Sequence, residues 1–165
     1  MKILMNNYSA PKIKVPNIFR VRIDKEVTSK YFDFKKDFHH FEKIPFKIEE
    51  SIAKVTTFSL KLNSGCALEK EELMEINHSR NTLLKIESNI ITLIPEKQQR
   101  EILTFFQSSK NTKEQLYNLL KEKDSFVQDP AIKLLVKLRI LSLCFVEAEK
   151  VNAELYKNQL NHSEK

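Results

Sequence analysis

Two of the four histidines in this 165-residue chain follow an acid at helical spacing: Asp37 stands three positions before His40, and Glu75 three before His78. On an α-helix that spacing brings carboxylate and imidazole to one face. Bundles that hold two metal ions use a pair of such motifs together with two further glutamates. Asp33 and Glu71, one turn ahead of each pair, supply a further candidate oxygen on each helix. Mixed nitrogen and oxygen ligands of this kind suit iron, manganese or zinc. Acids are frequent here, however, at 22 Asp and Glu, so a solvated helix face explains the same spacing. A helical-bundle metal-binding protein is therefore kept as a minor reading, and no metal or cofactor is expected.

Nucleophilic and phosphate-binding chemistry have less behind them. Cys66 follows Gly65 at an expected helix boundary, and a thiol at a helix N-terminus has a lowered pKa. No histidine neighbours it in sequence, and Cys144 sits in the apolar run LSLCFV as an ordinary core thiol. Gly65 is the single glycine of the chain. Phosphate loops, dinucleotide turns and nucleophile elbows each need glycine where backbone approaches a ligand or takes positive φ, so those enzyme classes are set aside. A non-enzymatic protein is the expectation.

Two cysteines are too few for a disulfide framework, which favours the cytoplasm or another reducing compartment. The opening residues lack a secretory h-region, although export without an N-terminal mark is left open. No transmembrane segment is expected, because the apolar stretch from Ala131 to Ala148 is interrupted by Lys133, Lys137 and Arg139.

Charge is concentrated at the front. Of 28 basic residues, Lys2, Lys12, Lys14, Arg20 and Arg22 fall in residues 1–22, where there is no acid; the remainder carries 23 basic and 22 acidic residues. Overlapping this stretch, the segment PKIKVPNIFRVRID (residues 11–24) alternates, with Ile13, Val15, Phe19, Val21 and Ile23 on one side and Lys12, Lys14, Arg20 and Arg22 on the other. A period of two is that of an extended strand. Such an arm can dock on its own bundle, add to the sheet edge of another protein, or track phosphates through Lys12, Lys14, Arg20 and Arg22. Pro11 and Pro16 keep any strand short or at an edge.

The elements behind these groups read as helices. Val27, Tyr31, Phe34, Phe38 and Phe41 form one helical stripe over residues 25–42. Aromatic residues at this spacing could stack on bases, but Asp33, Asp37 and Glu42 beside them would repel phosphate, so they are read as core and the off-stripe Phe32 as exposed. Pro45 is expected to end this helix and begin the next, on which Ile48, Ile52, Val55, Phe58 or Ser59, and Leu62 recur before a stop at Asn63-Ser64-Gly65. The β-branched stretch from residue 54 to 62 also admits a strand. A long helix follows from Leu68 to Ile94, and Pro95 opens another with Ile102, Leu103, Phe105 and Phe106. Asn111, with Glu114 three residues on, has capping-box character ahead of a short helix bearing Leu116, Tyr117, Leu119 and Leu120. Asp129-Pro130 then opens a final helix to about Leu160.

That final helix is apolar nearly all round between Ile132 and Val146 and charged from Glu147 onward. A helix of that kind is surrounded by others along its apolar half. The expectation is a mainly α, single-domain bundle of five to six helices (residues 25–160), with an extended, strand-like basic arm (1–24) and a frayed tail (161–165). Its expected role is that of a protein-binding adaptor or scaffold subunit. The contact residues would be Phe19, Arg20, Val21 and Arg22 of the arm and Val151, Leu155, Tyr156 and Leu160 of the last helix. The alternative is a small nucleic-acid-associated subunit that uses the basic arm. Oligomeric state is not set by any of these features.

Overall fold

In the chain's last long helix, Ile132, Leu135, Ile140, Leu141 and Phe145 are fully enclosed, and Leu134 and Leu138 are buried on other sides of the same rod. Apolar burial all the way round requires neighbours on several sides. A computed structural model of the protein describes residues 13–15, 34–107, 112–123 and 128–163. Among the described residues there are five helices and no strand: α1 (Phe34–Asn63), α2 (Lys70–Leu93), α3 (Glu96–Gln107), α4 (Lys113–Lys121) and α5 (Pro130–Ser163). Helices α1, α2 and α4 all pack on α5, and α1 also packs on α2. The mainly α bundle around a central last helix is therefore what forms. Each fully buried Leu, Ile or Phe contributes about 1.5–3 kcal/mol by leaving water.

The helix ends are written in local chemistry. Asp129 precedes α5, and its Oδ1 accepts from the Ala131 N–H at 3.0 Å, so the expected cap ahead of a first-turn proline is formed. The other Asp129 oxygen accepts from Gln98 Nε2 at 3.3 Å, which ties α3 to the start of α5. At the end of α1, Gly65 has φ +89°, the Gly65 N–H donates to Leu62 O at 3.0 Å, and the Cys66 N–H donates to Lys61 O at 3.1 Å. These two bonds define a Schellman stop. The lone glycine is spent on this turn, where any side chain would force the left-handed region. Leu68 and Leu73 flank the first turn of α2 at the positions of a hydrophobic staple, and Glu72 Oε1 accepts from the Glu69 N–H at 3.0 Å.

Four expectations are corrected. Pro45 does not separate two helices, because α1 runs unbroken from Phe34 to Asn63. A proline inside a helix removes one N–H and crowds the carbonyl four residues earlier, at a cost of about 3 kcal/mol. Here Ile44 and Ile48 on either side of it are both buried, and that packing carries the helix through. Residues 54–62, where a strand is the alternative, form the expected helix, with Val55, Phe58, Ser59 and Leu62 buried at helical spacing. The cap of α4 is Thr112 rather than Asn111: the Thr112 hydroxyl accepts from the Gln115 N–H at 3.2 Å, and Gln115 Oε1 accepts from the Thr112 N–H at 3.2 Å. Cys66 lies just past the C-terminal stop of α1, four residues ahead of α2, so it is not at a helix N-terminus. Helix α5 itself continues to Ser163, three residues beyond the expected end.

Val27, Tyr31 and Phe32 fall outside the described residues, as do the side chains of Phe34, Phe38 and Phe41. Among the described residues no helix is long and apolar enough to cross a membrane.

Candidate functional site

The alternation of the arm survives in the short described piece of it. Ile13 is buried, Lys14 is exposed and Val15 is half-buried against the core. Asn63, the last residue of α1, holds this piece through both halves of its amide: Oδ1 accepts from the Ile13 N–H at 3.1 Å, and Nδ2 donates to Ile13 O at 3.1 Å. A side-chain amide here does what a neighbouring strand would do. From α4, Lys113 Nζ donates to Lys14 O at 3.0 Å and to Glu147 Oε2 of α5 at 2.7 Å. Residues 13–15 are thus docked on the bundle. Lys12, Phe19, Arg20, Val21 and Arg22 lie outside the described residues.

Replacing Asn63 with alanine removes both amide bonds to Ile13. Each net hydrogen bond is worth about 0.5–1.5 kcal/mol, so an N63A variant is expected to lose about 1–2 kcal/mol locally. The readout is amide exchange at Ile13, which should quicken by about tenfold, and unchanged exchange would show that the seat of the arm lies elsewhere.

At the other expected contact, the last helix divides sharply. Val151 is 4% exposed and joins the core, so it leaves the surface proposed for it. Asn152 is also buried, and its Oδ1 accepts from the Leu68 N–H at 2.6 Å, which pins the α1–α2 connection to α5. Beyond it no described side chain from 153 to 160 is buried: Leu155 is half-buried, Tyr156 is 58% exposed and Leu160 is 49% exposed.

A third feature was invisible in the sequence taken helix by helix. Between α1 and α2 lies a groove of about 560 Å³. Among the described residues, Lys47, Lys54, His78 and Lys85 stand around it with a single acid, Glu50, and the buried Ser51 and Ser79 also line it. Lys54 is bridged to Glu50 at 3.2 Å. Among the described residues Lys47 and Lys85 form no ion pair. The signal that could have found the groove is the repeated spacing of seven: Lys47 to Lys54 on α1, and His78 to Lys85 on α2. Residues seven apart share a helix face.

Other charged groups join helices. Glu87 of α2 is buried and accepts from Arg139 Nε of α5 at 2.9 Å, while the guanidinium sits 4.3 Å from the Phe106 ring centre of α3. Burial pushes the Glu87 carboxyl up, and Arg139 opposes that rise. Arg80 of α2 donates to both oxygens of Glu149 on α5, at 3.2 and 3.3 Å. Lys61 and Glu72 pair at 2.6 Å across the α1–α2 turn; Glu72 is lowered first by the Glu69 N–H and then by Lys61. Cys144 is a buried thiol pushed up to about 11 by desolvation, and Cys66 is exposed.

Of the metal candidates, Glu71, Glu75 and His78 are exposed on α2, and the side chains of Asp33, Asp37 and His40 fall outside the described residues. Among the described residues no three His, Cys, Asp or Glu side chains gather as a metal-holding group. No protein-family model, curated protein or solved structure matches the chain.

Proposed function

We propose that this protein is a non-enzymatic adaptor or scaffold subunit that binds another protein through the far end of α5, with the arm as a second contact. One observation carries the reading: α5 stays helical from Ala153 to Ser163, about 16 Å, beyond Asn152, and no described side chain from 153 to 160 is buried. Helical stability in proteins comes mainly from packing one face. A helix end that keeps Leu155 half-seated and presents Tyr156 is the kind of surface an amphipathic partner helix covers, and tyrosine is enriched among residues that dominate such contacts.

The test is a comparison of proteins retained from cell extract by the wild type, by Tyr156→Asp, and by a variant with Arg20→Glu and Arg22→Glu. Tyr156 is exposed, so the bundle should stay folded by circular dichroism. A partner held by the wild type and lost with Tyr156→Asp supports the reading. Recovery of an identical set by all three proteins would sink it.

A second reading has the basic arm contact the phosphate backbone of nucleic acid through Lys12, Lys14, Arg20 and Arg22. Its support is that Lys14 is exposed while its carbonyl is anchored by Lys113, which sets the arm off from a fixed point. Four phosphate contacts on duplex DNA give a log–log salt slope of about −3.6. No mobility shift at low salt would remove it.

A further inference from the structure

We infer that the α1–α2 groove is a binding site for a phosphate-bearing small molecule of nucleotide size. Its volume of about 560 Å³ lies within the range of about 300–1,000 Å³ usual for small-molecule sites. Its chemistry is divided in the way such a ligand needs. Leu84, 49% exposed, and the buried Ile86 line its α2 side, and the buried Ile44 lines its α1 side, which gives it an apolar part. Lys47 and Lys85 supply charge from the two facing helices, and Lys54 and His78 repeat the arrangement two turns away.

The local charge is an excess and not the chain's average. Outside residues 1–22 the protein carries 23 basic and 22 acidic residues, yet the described residues that line this groove include three lysines and one glutamate. Glu50 is already engaged by Lys54, so Lys47 and Lys85 are the cations left to meet an anion. Lysine serves as a point-charge donor to phosphate. The lining residues Ser51 and Ser79 are 4% and 3% exposed, which adds two buried hydroxyl-bearing residues to the groove. The Thr82 hydroxyl is committed to His78 O at 2.9 Å and is not counted as a ligand group. This site is separate from the α5 end and stands or falls independently of the adaptor reading.

The experiment titrates the full chain with inorganic triphosphate and with adenosine triphosphate at low ionic strength, following backbone amide shifts. Saturable shifts confined to the groove-facing residues of α1 and α2, including Ser51, Ser79 and Lys85, are expected. Charge reversal by Lys47→Glu with Lys85→Glu should weaken binding at least tenfold, and reversal of two exposed lysines elsewhere, Lys97→Glu with Lys150→Glu, should leave it within twofold. Both pairs are on the surface, and an unchanged unfolding midpoint verifies that the fold is intact. Tighter binding of the nucleotide than of triphosphate assigns the base to the apolar part; equal affinity assigns recognition to phosphate alone. No saturable binding of either probe, or equal loss in both double variants, would overturn the site.

Discussion

Truncating Phe145 to alanine is expected to destabilise the protein by about 4 kcal/mol, the middle of the range for a buried phenylalanine whose cavity only partly collapses. Phe145 is wholly enclosed and heads the fully buried side chains in size. It sits on the helix against which α1, α2 and α4 pack, so few neighbours are free to move into the space it leaves. Native domains are stable by about 5–15 kcal/mol, and the loss is therefore a large part of the whole. A denaturant titration should show the midpoint falling steeply with little change in slope. Leu60→Ala is the control, since Leu60 is 68% exposed and its truncation should change the stability by less than about 0.5 kcal/mol. Similar losses at the two positions would mean that α5 is not the centre of the fold.

The second large effect concerns a charge. Replacing Arg139 with methionine leaves the Glu87 carboxyl in its buried position without the guanidinium that lies 2.9 Å away. Removing one partner of a buried pair costs about 3–5 kcal/mol; with Arg139 itself 38% exposed, about 2 kcal/mol is expected at neutral pH. The pH dependence has a definite sign. Burial already holds the Glu87 pKa above its ordinary value of 4.5, and without Arg139 nothing opposes that rise. A carboxyl raised in the folded state contributes its full stability below the unfolded pKa and loses it as pH climbs through the folded one. The gap between R139M and wild type should therefore be widest near neutrality and close as the pH falls toward 4.5. Glu87→Gln should cost much less, because it removes the buried charge and leaves an arginine that water can reach. A gap independent of pH, followed by urea titrations across this range, would show that Arg139 acts through packing on Phe106 alone.

Local chemistry was legible where a short stretch decides it. Asp129-Pro130 and Asn63-Ser64-Gly65 act through neighbours in sequence, and the first starts a helix and the second stops one where the residue types say they should. The period of two at Ile13, Lys14 and Val15 likewise predicts the burial pattern found there. Pro45 misleads because its effect is overruled from outside the segment, by the burial of Ile44 and Ile48. Val151 and Tyr156 are both apolar-faced residues of one helix, and only packing from outside it, with the α1–α2 connection held at Asn152, distinguishes core from surface. The groove is harder still to foresee. Lys47 and Lys85 are 38 positions apart, and they meet across a cleft only because the turn at Gly65 folds α2 back on α1.

The order in which these helices leave the ribosome has a cost. Helices α1, α2 and α4 are synthesised before the rod that covers their apolar faces, so Val55, Ile76, Leu83 and Leu116 have no finished interior to enter until α5 follows them. A nascent chain in this state shows sticky surface for the whole interval, at a translation rate of about 5–20 residues per second. Burial of these side chains thus waits on the last helix, and that interval is the one in which exposed apolar surface is most open to misassociation.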